Sequence, residues 1–146
     1  MRTIRKDFVI SNNLAEIDNL TRDVLEFCRT NGISEEVCHD LWLATEEAVS
    51  NTIKYGYNDP QLHSIHLTAS IEAAKIVLEI EDDAMSFNPL EAPDPNLSLP
   101  IEEKPVGGLG IYLIRSVMDL VEYERRAGKN ILRMTKIYHD DTKAQR

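Results

Sequence analysis

The stretch from Asp82 to Asp119 constrains this chain more than any other, and its centre is Val106-Gly107-Gly108-Leu109-Gly110-Ile111. Three of the six glycines fall within four residues there, and five of the six prolines (Pro89, Pro93, Pro95, Pro100 and Pro105) lie just upstream. Each proline removes a backbone donor, so the segment can continue neither a helix nor a central strand. The glycines allow close backbone approaches that a Cβ would block. Ile111 to Met118 then reads as an amphipathic helix. A long loop ending in glycines at a helix N-terminus presents free N–H groups and the positive end of the helix dipole together, which suits a phosphate. The pattern is neither the Walker loop, since no Gly-Lys-Ser/Thr follows, nor the dinucleotide fingerprint, since no strand immediately precedes it.

The chain has 146 residues, read as a single domain over 1–146. A formal charge of −9 argues against nonspecific nucleic-acid binding and against anionic membranes. No run approaches the ~20 apolar residues of a membrane-spanning helix, and the basic N-terminus lacks an apolar signal segment. Cys28 and Cys38 sit in helix-like segments and read as free core thiols in a reducing compartment. The expectation is a cytoplasmic protein.

Along the chain, residues 3–10 read as an edge strand, and Ser11-Asn12-Asn13 as the cap of a helix running to about Thr30 and closed by Asn31-Gly32. Ser34 caps a second helix with Val37, Leu41, Ala44, Ala48 and Thr52 on one face and Gly56 at its end. Ile65–Ile71 and Ile76–Ile80 alternate apolar and polar residues as a hairpin. After the proline loop and its helix, Leu120–Arg125 and Ile131–Tyr138 form a second hairpin. The tail over 139–146 is polar. This order predicts an α/β two-layer sandwich, helices packed on one face of a mixed, mostly antiparallel sheet.

Glu47 and Asn51 are four apart on the second helix and therefore share a face. A carboxylate can orient or deprotonate a nucleophile, and a carboxamide oxygen can ligate a Mg²⁺ that also holds phosphates. The same pair is common on solvated helix faces, so alone it decides nothing. Asp82 ends a strand and could accept from an exocyclic amine such as that of adenine, although Asp is equally favoured there by turn chemistry. His39, His63, His66 and His139 show no ligand spacing, and Trp42 reads as a packing residue.

Order and spacing carry more than any one element. Glu46-Glu47-Ala48-Val49-Ser50-Asn51-Thr52-Ile53-Lys54-Tyr55-Gly56-Tyr57, then Phe87-Asn88-Pro89-Leu90, then Gly107-Gly108-Leu109-Gly110-Ile111-Tyr112-Leu113-Ile114-Arg115, resemble the motifs of the Bergerat (GHKL) ATP-binding fold. Within that fold the chain is most similar to the bacterial anti-sigma-factor serine kinases, over nearly its whole length. The resemblance implies a regulatory protein kinase that binds ATP and Mg²⁺ under a flexible flap at about 88–108. It would phosphorylate a serine on a small STAS-like antagonist protein and bind a sigma factor or similar partner, and a homodimer is compatible with it. Glu47 would be the catalytic residue and Asn51 the Mg²⁺ ligand. Asp82 would read adenine, and Ala84, Gly107, Gly108, Leu109 and Gly110 would complete the nucleotide cradle. Lys104 and Arg115 are the nearest cations for phosphate in sequence. One departure counts: the family's Asp-x-Gly stands here as Asp82-Asp83-Ala84. The added methyl would crowd the purine, or be strained if the site needs φ > 0. The alternative reading is therefore an ATP-dependent binding module with weak or no phosphotransfer.

Overall fold

A computed structural model describes residues 3–91 and 108–138. The first strand, β1 (Ile4–Ser11), leads into helix α1 (Ile17–Thr30) through a short 3-10 turn whose cap is Asn13, its side chain accepting from the Ala15 amide. The helix ends where Asn31 and Gly32 turn the chain; Gly32 takes φ +78°, and the amides of Gly32 and Ile33 bond the carbonyls of Arg29 and Cys28. Ser34 caps α2 (Glu35–Tyr55) by accepting from the Val37 amide. Strands β2 (Ser64–Glu72) and β3 (Lys75–Asp82) follow, then α3 (Gly108–Val117), β4 (Leu120–Arg126) and β5 (Lys129–Ile137).

The five strands form one sheet in the order β1-β2-β3-β5-β4. All four pairings are antiparallel, which narrows the expected mixed sheet. The reason lies in the connection through α3. It sends β4 to the outer edge parallel to β3, and the β4–β5 hairpin then slots β5 between them. Strand period places Ile65, Leu67, Ala69 and Ile71 of β2 on one face, opposite Ile76, Leu78 and Ile80 of β3 and Met134 of β5, all buried beneath the helices. Fully burying each Leu or Ile contributes about 1.5–3 kcal/mol, so this face accounts for much of the driving force. Lys136 ties the layers together, its ammonium 2.9 Å from the Asp40 carboxylate of α2 and 2.7 Å from the Val117 carbonyl of α3.

Two local readings shift. In α2 the buried face is Cys38, Leu41, Ala44, Thr45, Ala48 and Val49, whereas Thr52 is half-buried and turned toward a cavity. Helix α3 starts at Gly108 rather than Ile111, so two of the glycines lie inside it. The Ala127-Gly128 turn has both central residues at positive φ, +53° and +78°, the mirror-image geometry that right-handed strand twist favours, whereas at Ala73-Ala74 only Ala74 has it, at +63°. Both cysteines are free and fully buried, and burial pushes the Cys28 thiol up to about 12. Among the described residues no helix is long and apolar enough to cross a membrane.

Candidate nucleotide-binding site

The C-terminal half of α2, the end of β3 and the hairpin β4–β5 enclose a cavity of about 340 Å³. Ala48, Asn51, Thr52 and Tyr55 line it at the i, i+3, i+4, i+7 spacing of one helix stripe. Ile111, Ile114 and Leu132 supply an apolar wall, and Asp82, Tyr123 and Asn130 the polar groups at its end. A mostly apolar space with a few convergent polar atoms, of this size, has the character of a small-molecule site.

Asp82 is only 5% exposed. Its Oδ1 accepts from the Ala84 amide at 3.0 Å and from the Asn130 amide nitrogen at 3.0 Å, and Oδ2 from the Thr52 hydroxyl at 3.4 Å. Burial raises its carboxyl above the ordinary range, and these hydrogen bonds oppose the rise by favouring the ionised form. The turn chemistry expected of Asp82 is present, since one oxygen holds the turn to Ala84.

Ala84 is 3% exposed and has no positive φ, so the strain expected of an alanine at this position does not arise. Its methyl is accommodated by a second small residue. A Cβ built on Gly56 would lie 2.8 Å from the Ala84 Cβ and 2.6 Å from the Thr52 carbonyl oxygen. Gly56 caps α2, and its carbonyl accepts from the Met85 amide at 2.9 Å, which fixes the loop against the helix end. The Ala84 carbonyl in turn accepts from Arg125 at 2.9 Å.

Glu47 does not line the cavity; it lies one turn before Asn51 on α2, and both meet the first turn of α3. A Cβ on Gly110 would come within 3.2 Å of Glu47 Oε2 and 3.3 Å of Asn51 Nδ2, so a larger residue there would displace both side chains. Gly108, Leu109 and Gly110 are the first three residues of α3, where amides have no partner within the helix. Gly107 and Lys104 lie outside the described residues, as do 92–107 of the expected flap and the tail 139–146. Arg115 donates to the Leu90 carbonyl at 2.9 Å and so fastens the segment after β3. No group of three His, Cys, Asp or Glu able to hold a metal by itself occurs among the described residues. A Mg²⁺ at Asn51 would draw its other ligands from phosphates and water, which suits an ion that keeps several waters and few protein ligands.

Thr52, Gly56, Tyr123, Arg125 and Asn130 also belong to the site or its support, and the sequence assigned none of them a ligand-binding role, although Thr52 and Gly56 fall within the motif around Asn51. Asn130 falls opposite Asp82 only through the β3–β5 register. His63, given no role from sequence, stacks on Tyr57 with ring centroids 4.4 Å apart. Its Nε2 is 2.9 Å from Asp59 and its Nδ1 3.1 Å from Asp83, which raises its pKa, the Asp59 bond contributing most. A neutral imidazole has one N–H and cannot donate to both carboxylates, so this clasp requires the charged form. With the folded pKa raised above 6.5, the stabilisation is complete below that value and is lost as pH rises through the raised pKa. Thermal unfolding of wild type and His63→Phe across that window checks this: the gap in Tm is expected to shrink as pH rises, and a constant gap would count against the clasp.

A twisted antiparallel sheet backed by helices, with a buried carboxyl group in the lining of a cavity of about 340 Å³, has the architecture of a nucleotide-binding domain. The chain belongs to the histidine kinase-like ATPase domain family, which matches residues 10–136. It is 30% identical over 95 residues to the serine/threonine-protein kinase BtrW of Bordetella bronchiseptica, covering 65% of this chain and 67% of that protein. It is 34% identical over 109 residues to an anti-sigma F factor of a Thermoanaerobacter species, covering 73% and 74%. The serine-protein kinase RsbW of Oceanobacillus iheyensis is 30% identical over 105 residues, 69% of this chain and 66% of its own length. Among solved structures, the RsbU and RsbW domains of Rv1364c from Mycobacterium tuberculosis superpose with a TM-score of 0.64 at 11% identity. That match covers 92% of this chain and 32% of the other, and it speaks to the fold.

Proposed function

We propose that this protein is an ATP-dependent serine/threonine protein kinase of a partner-switching pathway, binding a sigma factor or similar partner and phosphorylating a serine on a small STAS-like antagonist. The observation that carries the reading is the meeting of Glu47 and Asn51 with the start of α3 at Gly110, beside a cavity ending in a buried Asp82. The names of the relatives support it. Adenine would enter the cavity with its amine toward Asp82, and the phosphates would lie toward the first-turn amides of Gly108, Leu109 and Gly110. Mg²⁺ held through the Asn51 side-chain oxygen would neutralise phosphate charge. Glu47 orients the substrate serine hydroxyl and takes its proton as the new O–P bond forms and the bond to the ADP oxygen breaks. Transfer of this kind is driven mainly by positioning and electrostatics. The alternative of a binding module without transfer would rest on Ala84, and Gly56 makes room for that methyl.

Calorimetric titration of ATP and GTP with and without Mg²⁺ tests the reading. Wild type is expected to prefer ATP, and Asn51→Ala to weaken MgATP much more than metal-free ATP, since it deletes a metal ligand. Equal losses for the two forms would make Asn51 structural, and equal affinity for ATP and GTP would remove Asp82 as the adenine reader.

A further inference from the structure

We infer that Tyr123 and Asn130 act as a positioning pair whose own donors are all committed, so that together with Asp82 they present acceptors to the cavity and select a purine carrying a 6-amino group over a 6-oxo group. The inference rests on the nucleotide reading above and concerns what enforces its selectivity. Asn130 is 8% exposed and directly opposite Asp82 in the β3–β5 register. Tyr123 pairs with Leu132 on the neighbouring strand, which makes Asn130 its diagonal neighbour, within reach of a long side chain.

The amide orientation is set by its partners. Its nitrogen faces Asp82 Oδ1 at 3.0 Å, the Met85 carbonyl at 3.0 Å and the Ala84 carbonyl at 3.3 Å. All three are acceptors once Asp82 is ionised, so the reverse orientation would set oxygen against oxygen. The Asn130 oxygen therefore faces Tyr123, and the Tyr123 hydroxyl donates to it. That hydroxyl has a single hydrogen, now committed. Asp82 Oδ1 is likewise occupied, by Asn130 and the Ala84 amide, while Oδ2 has a 3.4 Å contact with the Thr52 hydroxyl, whose single hydrogen also faces the Ala48 carbonyl at 3.2 Å. Tyr123 and Asp82 both line the cavity, and the oxygens they have left are acceptors. An amine brings two hydrogens to such a wall. A 6-oxo group would bring another acceptor and leave buried oxygens unpaired.

The charged and titratable groups around Asp82 are Asp83 beside it, Tyr57 from the loop after α2, and Arg125 of β4 on the Ala84 carbonyl. The Asn130 amide opposes the effect of burial by favouring the ionised, accepting form of the Asp82 carboxyl.

The test titrates ATP, GTP and purine riboside triphosphate, which lacks any 6-substituent, into the full chain by calorimetry. Wild type, Asn130→Leu and Tyr123→Phe are compared. Asn130→Leu is expected to lower the ATP-to-GTP affinity ratio by about 10-fold and Tyr123→Phe by about 3-fold, with ATP losing more than purine riboside triphosphate. A purely structural role would weaken all three nucleotides alike. Unchanged ratios in both variants would overturn the inference. If Asn130→Leu does not fold, Tyr123→Phe decides, since it keeps the ring and removes only the hydroxyl. A wild type that binds no ATP would bring down the nucleotide reading itself. One that prefers ATP, with variants that share its preference, brings down the positioning pair alone.

Discussion

Glu47→Gln is expected to cut phosphotransfer to a protein serine by about 10²–10⁴-fold, the usual effect of removing a positioned general base. MgATP affinity should stay within a few-fold. The two effects separate because Glu47 stands outside the residues lining the cavity, one turn from Asn51 and beside Gly110. Gln keeps the shape and nearly the same helix propensity, so α2 should not notice the change. The measurement is transfer of labelled phosphate from ATP to the antagonist protein, alongside a direct ATP titration of the same variant. Transfer at wild-type rate would remove Glu47 from the chemistry. A wild type that binds MgATP yet never phosphorylates its true partner would favour the binding module.

The second large effect belongs to a residue with no chemistry. Gly56→Ala should destabilise the fold by about 1–3 kcal/mol, the range for forcing extra atoms into a packed site. The new methyl would lie 2.6 Å from a backbone oxygen of Thr52 and 2.8 Å from the Ala84 methyl, and neither is the free end of a flexible chain. ATP affinity should fall with stability, because the displaced Ala84 amide is one of two donors on Asp82 Oδ1. Adding Ala84→Gly to Gly56→Ala should recover part of the loss by removing the methyl–methyl contact, though not the contact with Thr52. Ala84→Gly alone has no strain to relieve, since Ala84 lacks a positive φ, and it empties the space of a buried methyl. It is expected to be neutral or weakening. A double-mutant cycle by thermal unfolding reads this directly, and additive effects would mean that the two methyls do not meet.

Residues 56 and 84 also show where sequence reasoning stops. The motif comparison marks Ala84 as a departure and implies a penalty, because a motif records one position at a time. The compensating absence of a Cβ lies 28 residues upstream and becomes relevant only when the end of α2 packs on the loop after β3. Asn130 is a similar case. In sequence it is one polar residue beside a hairpin turn, and it becomes the partner of Asp82 only through strand register. His63 gains two carboxylates and a stacked tyrosine from segments that no spacing rule links.

What the sequence determined by itself is whatever depends on neighbours within a few residues. Period-two alternation placed β2 and β3, Ser34 the start of α2, Gly32 a helix end, and the i, i+4 spacing the shared face of Glu47 and Asn51, whereas Asn13 caps the 3-10 turn ahead of α1 rather than α1 itself, which starts at Ile17 without a side-chain cap. These are local because backbone hydrogen bonds and side-chain directions repeat over short distances along the chain. Tertiary structure alone decided that every strand pairing is antiparallel, that α3 begins at Gly108 so that Gly110 can meet α2, and that Asp82 is closed in by Asn130, Thr52 and Ala84. Those features are set by which distant segments pack and in what register, and such contacts gain their free energy from shared burial and close fit rather than from any residue's own preference.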